Sequence, residues 1–334
     1  MVTNRERYRA ALNGEKADRL PVVEWCGIWW DKTITEWVEQ GMPEGMDTQE
    51  LYAYFGLDRH DGLWLNTRSA DCPRPAYHGA GIIKNRADYD RLHDKIFCRD
   101  KINMALQKIR DEKPMHDRGE TPYGITVDGY FWFPRELLGI ENHLFSFYDQ
   151  PELLHRINQD LVDFSLDFIH EALKLIKPEM LCFAEDVSYN HGPMLSKEMF
   201  ETFMKPYYLQ VVPVMKECGA KVMVDSDGYI EPMIPWYVDV GVEGMYPLER
   251  ASGVDINRIR NEYPQFCMLQ GYDKMVLMNK GEQAIRGEFE RILPVMRSGW
   301  FLPGVDHQTP PGVSLKNYIL YVEMFFDYAR KAMN

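Results

Sequence analysis

Residues 151–186, PELLHRINQDLVDFSLDFIHEALKLIKPEMLCFAED, hold in one run the pattern that decides the fold. Pro151 stands at a first-turn position, and Leu153, Leu154, Ile157, Leu161, Phe164 and Phe168 recur at helical spacing until Lys177 and Pro178 end the stripe. A short apolar run over residues 180–186 follows and closes on two acids, as a buried strand does after an outer helix. Working outward, the same alternation predicts strands at residues 19–25, 63–67, 123–128, 180–186, 221–225, 244–248, 265–271 and 300–305, with the second the weakest. Between them Ser196 can cap a helix carrying Met199, Phe200, Phe203 and Tyr207, which Pro206 and Pro213 should kink or break. Ser314 can cap a last helix carrying Leu315, Tyr318, Val322 and Phe325.

Eight strands in 334 residues, with no linker-like boundary and no internal repeat, predict an α/β fold: a single (β/α)8 TIM barrel over residues 1–334. The extra length falls near residues 30–122, after the first strand, and is expected as an insertion at the barrel mouth. A doubly wound open sheet is the alternative, but no GxGxxG follows the first strand.

The formal net charge of −13 disfavours nucleic acid and anionic membrane surfaces as partners. The amino-terminal residues are charged and helical rather than a leader, and no long uncharged apolar run occurs, so a cytoplasmic protein is expected. Six cysteines are scattered singly, without CxxC pairs, and are expected to be reduced thiols. The 13% aromatic content, with 8 Trp, exceeds what a core of this size needs.

Reacting groups in such barrels stand at the carboxyl ends of strands. Here those ends are acidic: Glu24, Asp128, Glu185 with Asp186, Asp225 with Asp227, Glu249, Asp273, and Asp306 with His307. So many carboxylates at one mouth repel one another unless some are protonated, metal-bound or paired, which is how active sites shift pKa values. Arg135 and His307 are the evident counter-charges. Aromatic runs follow two of the strands, with Trp25, Trp29 and Trp30 after the first and Tyr130 and Trp132 after the third. They either close a barrel end or line a pocket for a flat aromatic substrate.

Three segments carry a resemblance. Asn4-Arg5-Glu6-Arg7 leads through Ala11-Leu12-Asn13-Gly14-Glu15 to Asp18-Arg19-Leu20-Pro21-Val22; the others are Glu185-Asp186-Val187-Ser188-Tyr189-Asn190-His191-Gly192-Pro193-Met194-Leu195-Ser196 and Pro303-Gly304-Val305-Asp306-His307-Gln308-Thr309-Pro310-Pro311. Together they resemble the uroporphyrinogen decarboxylase superfamily nearly end to end. The resemblance implies a (β/α)8 barrel and either a decarboxylase or a cobalamin-dependent methyltransferase. True decarboxylases carry Arg-Gln-Ala-Gly-Arg after the first strand; this chain has Trp25-Cys26-Gly27-Ile28-Trp29-Trp30-Asp31, electrostatically wrong for a polycarboxylate. Methyltransferases that act on coenzyme M carry His-x-Cys and a later Cys for zinc; this chain has Asp225-Ser226-Asp227-Gly228 and Gly304-Val305-Asp306-His307 at those turns, without a thiolate.

The branch that fits better is the methyltransferase I component of anaerobic aromatic O-demethylases, of the veratrol or vanillate type. It takes the methyl of a phenyl methyl ether such as guaiacol, veratrole or vanillate to the Co(I) of a corrinoid protein. A zinc pattern Glu-x14-Glu-x20-His is associated with that branch, and Glu24, Glu39 and His60 have its spacing. The resemblance thus implies zinc as a Lewis acid on the ether oxygen, or a protonated Asp225, Asp227 or Glu249, or His307, as general acid, with His191 a further donor. Trp25, Trp29, Trp30, Tyr130 and Trp132 would hold the ring, with Asp128, Arg135, Glu185 and Asp186 around it. A corrinoid protein docking at the mouth is the implied partner, and a homodimer is common in the superfamily. The rival reading is decarboxylation, or methyl transfer on another small molecule.

Overall fold

The computed structural model describes residues 2–24, 29–278 and 280–334. Among them seven parallel strands form one sheet in simple chain order: β1 (Asp61–Trp64), β2 (Tyr123–Asp128), β3 (Met180–Ala184), β4 (Lys221–Asp225), β5 (Gly244–Tyr246), β6 (Cys267–Leu269) and β7 (Phe301–Leu302). Register runs through Asp61 opposite Tyr123, Gly124 opposite Met180, Met180 opposite Lys221, Met223 opposite Gly244 and Met268 opposite Phe301. Each parallel step needs a crossover, and the amphipathic helices supply it. The Pro151–Leu175 helix buries Leu153, Leu154, Ile157, Leu161, Phe164 and Phe168, the stripe read from sequence.

The eighth position departs from expectation. Residues 19–25 were expected as the first strand; residues 20–24 are extended and buried but join no ladder, and Trp25 lies outside the described residues. This segment still bridges the two edges of the curled sheet. The Asp58 N–H, just before β1, donates to the Val22 carbonyl (2.8 Å), while the Val305 N–H, just after β7, reaches Glu24 Oε2 (3.4 Å). Two local features remove the ladder: Pro21 has no N–H, and the Val22 N–H is taken by the Asp58 side chain (2.8 Å), itself clamped by Arg19.

Strands β2 and β4 have the expected limits; β1 begins two residues early and ends three early, and β3, β5, β6 and β7 are shorter than read. Residues 30–122, expected as an insertion, contain β1 itself and the crossover helix Arg99–Asp117, besides the helices Asp31–Glu39, Thr48–Phe55 and Arg86–Ile96. The helix capped by Ser196 breaks as expected into Lys197–Phe203 and Lys205–Lys216, with Pro206 in the first turn of the second piece. A small hairpin pairing Ser188–Tyr189 with Gly192–Pro193 was not foreseen. The described cysteines, 72, 98, 182, 218 and 267, form no disulfide with one another. No described helix is long and apolar enough to cross a membrane.

Candidate active site

The carboxyl ends of the strands open on a cavity of about 700 Å³, whose walls include Trp64, Trp132, Asp186, Asp225, Asp227 and His307. Its acids come from adjacent strand ends, so the sheet itself brings them together. Glu185 and Asp186, consecutive after β3, have opposite duties. The Glu185 carboxyl is fully buried and accepts from the backbone N–H groups of Tyr130 (2.8 Å), Phe131 (2.7 Å) and Trp132 (3.3 Å) and from the Tyr208 hydroxyl. It borders the cavity, with its oxygens taken up in holding the loop after β2 in place. A Cβ at Gly129 would lie 2.2 Å from the Glu185 Cδ, so only glycine lets the carboxyl sit beneath that loop. Burial pushes Glu185 up to about 7 against the pull of these hydrogen bonds. Asp186 has a positive φ of 44° and pairs with Arg135 (Nη2 to Oδ2, 2.6 Å) at the cavity wall.

Asp225, at the end of β4, is the central group. Its backbone carbonyl is fixed by the N–H groups of Glu185 (2.8 Å) and Asp186 (3.2 Å), while its carboxyl faces the cavity. Burial, then the charges of Asp227 and Asp186, push it up to about 8, with His307 pulling the other way. His307 Nε2 lies 3.4 Å from Asp227 Oδ1. Burial alone would lower the His307 pKa, but Asp227 and Glu249 outweigh it and raise it above the ordinary histidine value.

Glu249 was expected among the reacting acids, yet it stands behind them. It accepts the Gly228 N–H (2.8 Å) and lies 3.6 Å from Lys274 Nζ, fixing the turn that carries Asp227. Gly228 is obligatory there: its φ is +88° and a Cβ would come within 2.5 Å of the Tyr189 backbone. Lys274, which sequence reasoning passed over for its neighbour Asp273, also reaches the fully buried Asp306 (3.1 Å). Asp273 instead caps its own turn through the Met275 N–H (2.9 Å). Burial raises the Asp306 pKa, and Lys274 and two backbone N–H groups oppose that rise.

The expected aromatic walls divide. Trp132 lines the cavity, with the Arg135 guanidinium 4.5 Å from its ring centroid, so Arg135 serves both Trp132 and Asp186. Trp64, missed from sequence, lines it too, and its indole N–H donates to Asp128 Oδ1 (2.8 Å). Burial pushes Asp128 up to about 6. Trp29 is core, packed on Trp37, Tyr52, Phe55 and Tyr318. Tyr130 is core as well, against Phe183, Tyr207 and Tyr208. Trp30 is half exposed and precedes the Asp31–Glu39 helix, away from the cavity wall. Trp25 falls outside the described residues. His191 is exposed on the small hairpin, against Tyr189, and does not border the cavity.

The zinc set does not assemble. Glu39 is exposed at the end of its helix, whereas Glu24 is buried against the Tyr318 hydroxyl (3.1 Å) and the Val305 N–H. His60 alone of the three lines the cavity. Burial pushes Glu24 up to about 8, so it is predominantly a neutral carboxyl at neutral pH, a poor start for a ligand. Among the described residues no three His, Cys, Asp or Glu side chains gather as metal ligands.

The chain is similar in fold to a methyltransferase from Methanosarcina mazei: TM-score 0.64, 14% identity, and 99% of each chain covered. A B12-independent methionine synthase from Shewanella sp. W3-18-1, in complex with selenomethionine, is far more remote, with TM-score 0.36, 7% identity and 67% and 65% of the two chains covered. No curated protein matches the sequence. The family model for uroporphyrinogen decarboxylase (URO-D) matches residues 85–331, well over half of the sequence, and the chain belongs to that family.

Proposed function

We propose that the chain is a methyltransferase that takes the methyl group of a phenyl methyl ether to the Co(I) corrinoid of a partner protein, with Asp225 as general acid. The carrying observation is the Asp225 carboxyl, pushed up to about 8 in a cavity walled by Trp64 and Trp132. At neutral pH it holds a proton, and it faces space that accepts a flat ring. In the reaction the ether C–O bond breaks with its electron pair going to oxygen, the cobalt lone pair takes the methyl cation, and the Asp225 proton goes to the departing phenolate. A phenol holds its proton with a pKa of about 10, so transfer from a group near 8 runs downhill by roughly two units. The nearby His307 then stabilises the carboxylate left behind, as its pull on the Asp225 pKa indicates.

Arg135, bound to Asp186 and stacked on Trp132, fixes the ring wall. Since Glu24, Glu39 and His60 do not gather, no zinc step enters the mechanism. The fold shared with a methyltransferase supports the reaction class. Decarboxylation of a tetrapyrrole polycarboxylate is disfavoured because Asp186 and Asp227 border the space it would fill, while the cations there, Arg59 and Lys108, are already paired with Asp61 and Glu112.

The test supplies the purified protein with a Co(I) corrinoid carrier and a panel of methoxybenzenes, and follows the absorbance of methyl–Co(III). Methylation by guaiacol or veratrole that survives chelation and is lost in D225N is the expected result. A competent carrier that no ether methylates refutes the assignment.

A further inference from the structure

Beside the main cavity lies a second, of about 620 Å³, and the two share Trp64 and Trp132 as their common wall. The second is lined by residues 64–70 and 72–75, the turn-rich stretch after β1, together with Lys101, Asp128, Trp132 and Glu136. Its charge is anomalous for this molecule. Arg68, Arg74 and Lys101 all face it in a chain whose net charge is −13, and among the described residues none of the three is engaged in an ion pair. Lys95 close by is different, being paired with Asp71 at 2.8 Å. Against the three cations stand two carboxylates. Asp128 accepts the Trp64 indole N–H and, though burial pushes it up to about 6, stays mostly ionised at neutral pH, so Asp128 and Glu136 together leave the three cations one charge in excess. The Arg68 guanidinium lies 5.9 Å from the Phe133 ring centroid, which orients it.

We propose that this second cavity is an anion subsite, in which Arg68, Arg74 and Lys101 receive a carboxylate carried on the ring of the substrate. The proposal rests on the reading of the main cavity as the place where the ring's ether reacts. Trp64 and Trp132 belong to both spaces, so one flat ring lying between them presents one edge to Asp225 and another to the cations. An arginine takes a carboxylate through two parallel hydrogen bonds, and Lys101 adds a point charge. The main cavity holds Asp186 and Asp227 beside a protonated Asp225, and its cations Arg59 and Lys108 are paired with Asp61 and Glu112, so the two spaces together fix which way round a charged ring enters.

Direct binding tests this without methyl transfer. Tryptophan fluorescence is titrated with 3,4-dimethoxybenzoate, with 1,2-dimethoxybenzene and with inorganic phosphate. The expected result is at least tenfold tighter binding of the benzoate than of the neutral ether in wild type, falling to near parity in R68Q and in the exposed-site variant R74Q, each first checked for a native melting transition. Parity in wild type overturns the subsite. So does a preference that persists in both variants, or phosphate that binds more tightly than the benzoate. The two proposals fail separately: methyl transfer from 1,2-dimethoxybenzene without carboxylate preference removes the subsite alone, and carboxylate preference without methyl transfer removes the reaction alone.

Discussion

Replacing Asp225 with asparagine keeps the shape of the side chain and removes its proton, which makes it the sharpest probe of the mechanism. With its carboxyl pushed up to about 8, Asp225 is about 90% protonated at pH 7, whereas at an ordinary aspartate pKa near 3.9 only about one molecule in a thousand would be. The sign is that of an acid catalyst: activity is present below pH 8 and falls about tenfold per pH unit above it. D225N is expected to lower kcat by roughly 10²–10⁴-fold, the usual contribution of a positioned general acid, with little change in KM. D227N provides the second arm. Asp227 is the foremost charge raising Asp225, so its removal shifts the descending limb to lower pH while acid-side activity persists. Initial rates of corrinoid methylation from pH 5.5 to 9.5 read both. A D225N enzyme within a few-fold of wild type, or a limb that stays in place in D227N, refutes the assignment of Asp225.

K274M should destabilise the fold by about 3–5 kcal/mol in urea titration, because it leaves the buried Asp306 without its ion-pair partner. E185Q should cost about 1–3 kcal/mol, since an amide cannot accept every hydrogen bond that the carboxylate takes from residues 130–132 and Tyr208, and KM should rise as the Trp132 loop loosens. Glu24 is raised in the fold from an ordinary 4.5 to about 8, so its contribution to stability is fully present below about pH 4.5 and is lost as pH rises through about 8. Melting temperatures measured between pH 5 and 9 should therefore fall less steeply for E24Q than for wild type.

Most strands were legible as buried apolar runs, and β2 and β4 stand at their expected limits because a charged residue closes each, Asp128 and Asp225, whereas the wholly buried β3, β5, β6 and β7 carry no such end mark and are shorter than read. The first strand was not legible, because the group that takes the Val22 N–H is Asp58, 36 residues away. The acids at strand ends marked the mouth correctly as a place, and Asp186, Asp225, Asp227 and His307 do meet there. Their division of labour was hidden. Glu185 and Asp186 are adjacent letters that both border the cavity, and only their partners, backbone N–H groups for one and Arg135 for the other, tell the buried strut from the ion-paired wall. Loop aromatics misled for a related reason: Trp29 and Tyr130 are covered by helices distant in sequence, so a loop position alone does not say which side of a residue faces protein. Trp64 was read within a weak strand and not as a wall. Lys274 has no pattern of its own, and its importance comes from Asp306, 32 residues on.

The seam at residues 20–24 bears on how the protein is made. Its partners are Asp58 on one side and, on the other, Val305, Tyr318 and Ala329, with Val305 281 positions along the chain from Glu24. A chain emerging from the ribosome can assemble β1 through β6 from near neighbours, yet the buried run Leu20, Val22 and Val23 has no complete lodging until the last helix has been synthesised. For most of translation that apolar segment is exposed on the nascent chain. Truncation within the Leu315–Lys331 helix would strand it permanently, so such fragments should aggregate even though every strand of the sheet is present in them.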